Sequence, residues 1–383
     1  MPTEAGSSKK RWKGSEMAET KHEPMPYDFM VLIPTLLLLG VGLVAIFSAS
    51  SFLAEHKLGD GYFYLKRQAT FCLLGLCFMI FVKNIPASLF PRLAYPLLGT
   101  SLALLLLLLV PGIGVKVSGA SRWIRLAGVS FQPSELAKLA LAFYMAYSIS
   151  KKGPAMGSFT KGLVPHLAVA GVFMLLILLQ PDLGTAVIIA CWLLVLLFVG
   201  GVKLRHLLSL LLLSLPVLIY LVSKADYRLK RWWAFLNPWD DPRGLGFQII
   251  HSFLAFGSGG ILGVGLGNSK QKLFYLPEPH TDFILSIVAE ELGLVGFAVI
   301  VLLFGILIMR GIKIALSAPD LYSSYLALAI SVFLGLQVLI NMGVVLGLLP
   351  TKGLTLPFIS YGGSSLVISL VGIGILLNIS ARR

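Results

Sequence analysis

Apolar runs of about twenty residues recur along the whole chain and set the first limit on its fold. Residues 29–50, 92–110, 162–179 and 322–346 form such runs, and about 20 apolar residues in a helix cross the ~30 Å hydrocarbon core of a bilayer. Of the 383 residues, 57% are hydrophobic and only 13% are charged, whereas about a quarter of the residues in a soluble protein are charged. The sequence therefore predicts an all-α polytopic membrane protein and excludes an ordinary soluble domain.

Ten transmembrane helices fit the hydrophobic pattern, although the fourth carries Glu135 and Lys138 and the sixth is short. A long extracytoplasmic loop, about 224–282, separates helices 7 and 8. The predicted domains are accordingly a tail, 1–27, and a ten-helix membrane domain, 28–383. The predicted spans cover residues 29–50, 65–84, 92–110, 132–149, 162–179, 184–200, 206–223, 283–309, 322–346 and 364–380.

Basic residues predict the orientation of the helices. An even number of spans puts both termini on one side of the membrane. Outside the long loop, 16 basic residues fall on the side of the termini and 7 on the other side. Lys and Arg are enriched in cytoplasmic segments, and long loops translocate largely regardless of their charge. Both termini are therefore predicted to face the cytoplasm.

The tail is polar, lacks periodicity and is predicted to be a disordered basic segment in the cytoplasm. A signal peptide is the alternative interpretation, because basic residues precede an apolar run. That run exceeds the roughly 7–15 residues of a signal-peptide core, which favours a true transmembrane helix. The basic residues of the tail are Lys9, Lys10, Arg11, Lys13 and Lys21.

The long loop contains three kinds of segment. Residues 228–236 mix Trp232 and Trp233 with basic side chains, which is typical of a helix that lies in the membrane interface. The sequence NPWDDPRGLGFQ, 237–248, contains Asn-Pro and Asp-Pro pairs and predicts turns. The glycine-rich stretch 257–269 lacks the context of a dinucleotide site. Its glycines are interpreted as allowing close approach of the backbone to lipid or substrate, or flexing of the loop.

The loop ends in FYLPEPHTDFILS, residues 274–286, which places three polar side chains directly before an apolar run. These are Glu278, His280 and Asp282. One interpretation is that Asp282 is the N-cap of the eighth span, where such a residue is favoured. A carboxylate at the membrane face is also suited to act as a general base. The two interpretations are compatible, and both remain open at this point.

The start of the fourth span, FQPSELAKL, holds a possible ion pair. Glu135 and Lys138 are three residues apart and so lie on one face of a helix. They either neutralise each other inside the bilayer or serve the function directly. In both cases we expect them to face the interior of the bundle, because charges inside a membrane rarely face lipid.

Four more charged residues fall on the predicted outer side. Arg122 and Arg125 precede the fourth span, Asp182 lies in the turn signature QPDLGT, and Lys352 is the only charge in LPTKGLTLPFISYGGSS. The Pro-Asp-x-Gly pattern alone indicates a turn at Asp182. Cations are suited to hold a phosphate, and a carboxylate can take a proton. The set suits a substrate with an anionic head and an apolar tail.

These motifs resemble those of the SEDS family of bacterial shape, elongation, division and sporulation proteins. The resemblance extends from about residue 28 to 380 and is closer to the division and sporulation branches than to the elongation branch. The joined HTDF, GSGG and SYGGSS motifs are highly specific. The matching stretches are NPWDDPRGLGFQ, FQPSELAKL, QPDLGTA, LAFGSGGILGVGLGNSKQKLFYLPEPHTDFILSIVAEELGLVG and LPTKGLTLPFISYGGSS.

The resemblance implies a ten-helix fold and an inverting glycosyltransferase that polymerises lipid II, a disaccharide-pentapeptide on undecaprenyl diphosphate, into peptidoglycan. It implies residence in the bacterial cytoplasmic membrane at the division septum. The implied partners are a class B penicillin-binding protein, which cross-links the strands, and other division proteins; no nucleic acid is implied. No dedicated metal cage is visible, so a divalent cation, Mg²⁺ or Mn²⁺, would be shared with the substrate diphosphate.

Residue by residue, the resemblance makes Asp282 of HTDF the essential base. It gives supporting roles to Glu135 and Lys138 of QPSELAK and to Lys352 of LPTKG. Some relatives carry an acidic residue where this chain has Phe274, so no role follows for that position. The remaining residues expected to bind substrate or support the site are Arg122, Arg125, Asp182, Glu278, His280 and Ser360.

Two other classes of function are compatible with the composition. A lipid II flippase needs polar groups through the whole depth of the membrane, whereas the polar motifs of this chain gather near one predicted face. A non-catalytic scaffold that recruits a penicillin-binding protein would need neither Asp282 nor Lys352.

Overall fold

The computed structural model describes residues 27–117, 120–126, 129–224, 226–244, 246–273 and 279–382. Apart from Tyr27, the predicted tail lies outside these residues. Twelve α-helices dominate the described part of the chain: α1 (Phe29–Leu58), α2 (Phe63–Lys83), α3 (Phe90–Leu107), α4 (Pro133–Lys152), α5 (Val164–Leu179), α6 (Leu183–Val199), α7 (Leu204–Ser223), α8 (Asp226–Leu236), α9 (Phe247–Gly259), α10 (Ile284–Leu316), α11 (Leu321–Val345) and α12 (Gly363–Ser380).

Ten of these helices, α1–α7 and α10–α12, coincide with the ten predicted spans. Eight of them are long and apolar enough to cross a membrane, which confirms the all-α polytopic class. The two others are the fourth, α4, which carries Glu135 and Lys138, and the sixth, α6, which has only 17 residues. Ten therefore remains the predicted number of spans.

The centre of the bundle is formed by α11 and α12, which are the most deeply buried of the eight candidate spans, together with α4, in which 15 of 20 residues are buried. Near the middle of α1, Gly42 lets the segment between α11 and α12 come close. A Cβ atom at Gly42 would lie 2.3 Å from the carbonyl oxygen of Phe358, so any larger residue would displace that segment. By contrast, α7 buries only Leu207 and lies at the periphery.

A small antiparallel sheet joins α3 to α4 and adds a feature that the helical prediction did not include. Its strands are β1 (Gly114–Val117), β2 (Ala120–Leu126) and β3 (Val129–Phe131), paired in the order β1-β2-β3. Side chains alternate between the two faces of a strand. Ile124 is buried and Arg125 is exposed, so one face of β2 packs on the bundle.

The long loop is largely folded. The predicted interfacial segment 228–236 lies in α8, where Trp233 is 64% exposed; its position relative to a membrane stays a prediction. The Asn-Pro and Asp-Pro segment separates α8 from α9 and contains a short 3₁₀ turn, Pro238–Asp240, as the sequence predicts.

The glycine-rich stretch after α9 approaches the protein's own helix α10. Gly293 interrupts α10 with φ 66° and ψ −166°. The amides of Val264 and Gly265 donate to the carbonyl oxygens of Glu290 and Glu291, both at 3.0 Å. A Cβ atom at Gly263, where φ is +82°, would lie 2.2 Å from the Glu291 carbonyl oxygen. At Gly263 the close approach is therefore to the backbone of α10, whereas approach of the rest of the stretch to lipid or substrate, or flexing of the loop, stays a prediction.

Candidate active site

The segment that precedes α10 and the segment between α11 and α12 meet where α10 begins. Ser360 Oγ donates to the carbonyl oxygen of Thr281 at 2.7 Å, and the amide of Tyr361 donates to the carbonyl oxygen of His280 at 2.9 Å. Asn341 Nδ2, on α11, donates to the carbonyl oxygens of Asp282 (3.1 Å) and Leu354 (2.6 Å). These bonds fix the backbone on both sides of the Asp282 side chain.

The carboxylate of Asp282 lies beside the exposed backbone of Gly353. Its Oδ2 atom is 3.2 Å from the point that a Cβ atom at Gly353 would occupy, and Asp282 itself is partly exposed. The N-cap position of α10 is held by Phe283, so the interpretation of Asp282 as the N-cap residue is wrong. A carboxylate held on a fixed backbone at the surface of the bundle is accessible to a substrate.

His280 is buried between aromatic rings. Its ring centroid is 4.2 Å from that of Tyr64 and 5.5 Å from that of Tyr361, and only 4% of the residue is exposed. Burial lowers the pKa of His280 to about 4, with a smaller contribution from the charge of Lys57. The imidazole is therefore neutral at pH 7. Its Nδ1 atom has no hydrogen-bond partner in the part of the chain that the structure describes.

Lys352 and Asp182 face each other across the start of α6. A Cβ atom at Gly184 would lie 3.6 Å from both Lys352 Cδ and Asp182 Oδ1. Burial lowers the pKa of the Lys352 ammonium group, and the nearby Cys191 and Asp182 partly offset this effect. Asp182 is the N-cap of α6 and accepts a hydrogen bond from the Thr185 hydroxyl at 2.9 Å, as the turn signature predicts.

The two sheet arginines differ in their surroundings. Arg122 Nε donates to the carbonyl oxygen of Gln180 at 3.2 Å, and its Nη2 donates to that of Pro181. Arg122 thus attaches the sheet to the turn that carries Asp182. Arg125 is exposed and is not brought to this group of residues.

Glu135 and Lys138 form the predicted ion pair, at 2.8 Å, and both residues are buried. The pair lines a small cavity of about 40 Å³ between α4, α11 and α12, together with Gln337 and Ser369. Gln337 lies one helical turn before Asn341, the residue that binds the Asp282 carbonyl oxygen. The ion pair therefore lies on the side of α11 that leads to Asp282, about one turn deeper in the bundle.

The structure thus brings together most of the residues that the sequence singles out. Glu278 lies outside the described residues. Within the described ranges, no group of three or more His, Cys, Asp or Glu side chains is arranged to hold a metal ion, so a cation carried by the substrate stays a prediction. The assembled side chains are those of Arg122, Asp182, His280, Asp282, Lys352 and Ser360, with Glu135 and Lys138 below them.

A second polar cluster, here called the anchor network, consists of Ser48, Ser269, Lys272, Glu290 and Glu291. Glu291 accepts hydrogen bonds from Ser48 Oγ at 2.6 Å and Lys272 Nζ at 3.0 Å. Glu290 accepts from Ser269 Oγ and from the amides of residues 270 and 271, at 3.1 and 3.3 Å. The network ties α1 and the stretch after α9 to α10.

Sequence reasoning missed the anchor network and the role of Asn341. A usable signal was present, because Glu290 and Glu291 are adjacent charges inside the predicted eighth span, and charges within a membrane span are paired or functional by default. The amide of Asn341 gave no such signal, since one polar residue in a long apolar helix does not reveal which backbone atoms it will bind.

The helices, together with charged residues gathered at one end of the bundle, define a polytopic membrane protein with a candidate active site at one face. The family model of the FtsW/RodA/SpoVE cell cycle proteins matches residues 29–383. The chain therefore belongs to this family, as the resemblance of its motifs predicts.

Individual relatives and solved structures agree with this assignment. The chain is 49% identical to a probable peptidoglycan glycosyltransferase FtsW from Geobacter metallireducens, covering 93% of this chain and 95% of the relative. It is 46% identical to stage V sporulation protein E of Bacillus subtilis, covering 92% and 96%. A solved peptidoglycan synthase complex, described as coordinating polymerisation and crosslinking, contains a chain with TM-score 0.76 and 34% identity, covering 92% and 97%. The rod shape determining protein RodA of Thermus thermophilus has TM-score 0.69 and 32% identity, covering 93% and 97%.

Proposed function

We propose that this chain is a peptidoglycan glycosyltransferase that polymerises lipid II into glycan strands at the outer face of the cytoplasmic membrane during cell division. The observation that carries the proposal is the position of Asp282. Its backbone is fixed by Asn341, and its carboxylate borders the exposed Gly353. Lys352 directly precedes that glycine, and its side chain lies against Gly184, near Asp182. A fixed base and a cation in one site are what transfer of a sugar from a diphosphate requires.

Asp282 acts as the general base in this proposal. Its carboxylate takes the proton from the 4-hydroxyl of the acceptor sugar while that oxygen bonds to the anomeric carbon of the donor. The bond from the anomeric carbon to the lipid diphosphate breaks, and the diphosphate leaves with the electron pair. Attack from the opposite face turns an α-linked donor into a β-linked product. The fixed backbone of Asp282 supports this role, because a base must be held close to the proton that it removes.

The cations of the site stabilise the leaving diphosphate. Burial lowers the pKa of Lys352. A diphosphate bound next to this side chain opposes that effect, because its negative charge favours the ammonium form. The ammonium group then donates a strong ionic hydrogen bond to the diphosphate. Arg122 supports the site through the turn that carries Asp182. His280 and Ser360 hold the two segments around Asp282, and Glu135 with Lys138 acts from the cavity below. A divalent cation, Mg²⁺ or Mn²⁺, would enter with the substrate.

The same proposal assigns a location and partners. The chain is an integral membrane protein, and we place both termini in the cytoplasm because of its basic residues. We place it at the division septum with other division proteins. A class B penicillin-binding protein would cross-link the strands, which is supported by the likeness to a chain of a synthase complex that couples polymerisation to crosslinking.

The test uses purified full-length chain with its penicillin-binding partner, labelled lipid II and a gel assay for glycan strands. We expect wild-type protein to make strands and Asp282→Asn to lose about 10²–10⁴-fold in rate, the usual contribution of a general base. Asp60→Asn makes the same chemical change in an exposed ion pair with Lys66, and such pairs contribute little; it should retain activity.

Three results would contradict the proposal. Near-normal strand synthesis by Asp282→Asn would remove the assigned base. Transfer of lipid II across vesicle membranes by wild-type protein that makes no strands would favour the flippase. A scaffold predicts a third pattern, in which Asp282→Asn still stimulates the partner fully.

A further inference from the structure

A groove at the opposite end of the bundle from Asp282 has no role in the proposed reaction. It lies where α2 ends and α3 begins, with a volume of about 470 Å³, and Phe81, Ile85, Leu89 and Leu93 supply its apolar walls. Phe81 is 65% exposed. The volume falls within the range of small-molecule sites, about 300–1,000 Å³, and Phe81 and Leu93 belong to α2 and α3, two of the predicted spans.

The backbone carbonyl oxygens of the turn beside the groove already accept hydrogen bonds from side chains. The side-chain amide of Asn378 donates to the carbonyl oxygens of Val82, Lys83 and Ile85, at 3.2, 2.7 and 2.7 Å. Arg382 also donates to Ile85, at 3.1 Å. The carbonyl oxygens of this turn are therefore already occupied, and they do not attract a cation.

Arg92 is the charged residue that lines the groove. It forms no ion pair within the described ranges of the chain, and no carboxylate lines the groove beside it. The guanidinium of Arg382 adds a second positive charge near Ile85. The first turn of α3, which begins at Phe90, adds the partial positive charge of a helix N-terminus. The groove thus combines apolar walls with a cationic end.

We propose that this groove binds a membrane phospholipid whose headgroup carries a net negative charge. The acyl chain lies along Phe81, Leu89 and Leu93, and the phosphate accepts hydrogen bonds from Arg92. Guanidinium groups bind phosphate in a bidentate geometry that suits this contact. Basic pockets between transmembrane helices at the cytoplasmic side are where acidic lipid headgroups bind, and this end of the bundle is the predicted cytoplasmic end.

The tail of the chain is the competing occupant. It enters the described structure at Tyr27, whose ring centre lies 3.6 Å from Lys83 Nζ, next to the groove. Residues 1–26 contain both acidic and basic side chains and few large apolar ones. These residues offer few apolar side chains that could pack against Phe81, Leu89 and Leu93. An acyl chain therefore matches the groove better than the tail does.

The test measures lipid retention by native mass spectrometry after the full-length chain has equilibrated with equal amounts of phosphatidylglycerol and phosphatidylcholine of the same acyl chains. We expect wild-type protein to retain the anionic lipid preferentially. Arg92→Gln should lower this preference by roughly fivefold, the effect of one basic side chain on anionic lipid binding. Arg205→Gln removes a charge from the first turn of α7, away from the groove, and is the matched control.

Two further variants test the contribution of the apolar walls and the contribution of the tail separately. Leu89→Trp fills the groove and should lower retention of both lipids. A chain that lacks residues 1–25 should retain as much anionic lipid as the full chain. Equal retention of the two lipids by wild type, or the same loss in Arg92→Gln and Arg205→Gln, would overturn the proposal. A several-fold gain on removal of the tail would identify the tail as the occupant and would also overturn it.

Discussion

The candidate active site directly precedes α10, and the glutamates of the anchor network lie about two turns into that helix, yet the buried polar atoms of the two regions are satisfied to different degrees. In the anchor network, Glu290 and Glu291 each accept several hydrogen bonds, and Lys272 donates to Ser48, Gly267 and Glu291. In the site, His280 Nδ1 and Asn341 Oδ1 have no hydrogen-bond partner among the described residues. Both regions are polar, but only the anchor network is saturated, which means that each of its buried side-chain polar atoms has a hydrogen-bond partner.

The difference indicates what each region does. A buried polar atom without a hydrogen bond costs about 1–3 kcal/mol, so a protein keeps one where a ligand or a water molecule can satisfy it. The saturated anchor network has no capacity left for a substrate and serves to hold α10 against α1. Two such atoms, His280 Nδ1 and Asn341 Oδ1, lie around Asp282, where the proposed substrate binds. Four others among the described residues lie elsewhere in the bundle, on His166, His206, Tyr322 and Asn378.

The largest expected effect is the loss of the cation in the anchor network. Lys272→Met leaves Glu290 and Glu291 as adjacent buried carboxylates with no positive charge within 4.0 Å among the described residues. Breaking a buried pair typically costs about 3–5 kcal/mol in the free energy of unfolding. We expect a loss in this range, measured by denaturant unfolding in detergent micelles.

The matched variant is Lys138→Met, which removes the cation of the other buried pair. Glu135 borders a cavity of about 40 Å³, which is large enough to admit water. We expect a loss of only about 1–2 kcal/mol, because water can replace part of the lost interaction. If Lys138→Met destabilised the protein more than Lys272→Met, the distinction between a saturated and an unsaturated cluster would fail.

The long helices were predictable from the sequence because each satisfies its backbone within one segment. The predicted start of the last span at residue 364 agrees with the start of α12 at Gly363. Hydrophobicity does not fix where a helix ends beyond the bilayer, so α1 and α10 extend past their predicted ends to Leu58 and Leu316. The sheet between α3 and α4 was missed because its three short strands carry no long apolar run.

The site was only partly predictable for a different reason. His280 and Asp282 are neighbours in sequence and were identified together. The contacts that fix them come from Ser360, 79 residues after Thr281, and from Asn341, 59 residues after Asp282. Likewise, Ser48 and Glu291 are 243 residues apart. No local pattern predicts such pairs, because they depend on how the helices pack.

A smaller effect is expected from the pH dependence of stability at His280. The pKa of this buried imidazole is lowered from 6.5 to about 4, so the unfolded chain binds a proton more tightly than the folded protein. The stabilising contribution is complete above pH 6.5 and is lost as the pH falls toward 4. At pH 5 the loss should be about 2 kcal/mol.

The measurement compares wild type with His280→Gln, which keeps a polar side chain but does not titrate. Their difference in unfolding free energy should change by about 2 kcal/mol between pH 7 and pH 5, whereas Lys352→Met should retain the wild-type dependence over this range. Parallel curves for wild type and His280→Gln would show that the imidazole is not held neutral by burial.

The smallest expected effect on stability belongs to an exchange of the cavity pair. The double variant Glu135→Lys, Lys138→Glu keeps two opposite charges three residues apart on α4 and reverses their order. Because the pair is retained, we expect the free energy of unfolding to change by less than about 1 kcal/mol. The charge that each position presents toward Asp282 and its substrate would nevertheless be reversed, so we expect strand synthesis to fall at least about tenfold, or about 1.4 kcal/mol.

A second double variant, Glu135→Gln, Lys138→Met, removes both charges and isolates the role of the pair. If the two residues only neutralise each other, both double variants should fold and make strands at near-normal rates. If Lys138 or Glu135 acts on the substrate or on Asp282, both should fold and stay inactive. Strand synthesis, unfolding in micelles and the Asp282→Asn variant measured in parallel distinguish these outcomes. Near-normal synthesis by either double variant would assign the pair to the fold and would leave Asp282 and Lys352 to perform the reaction without it.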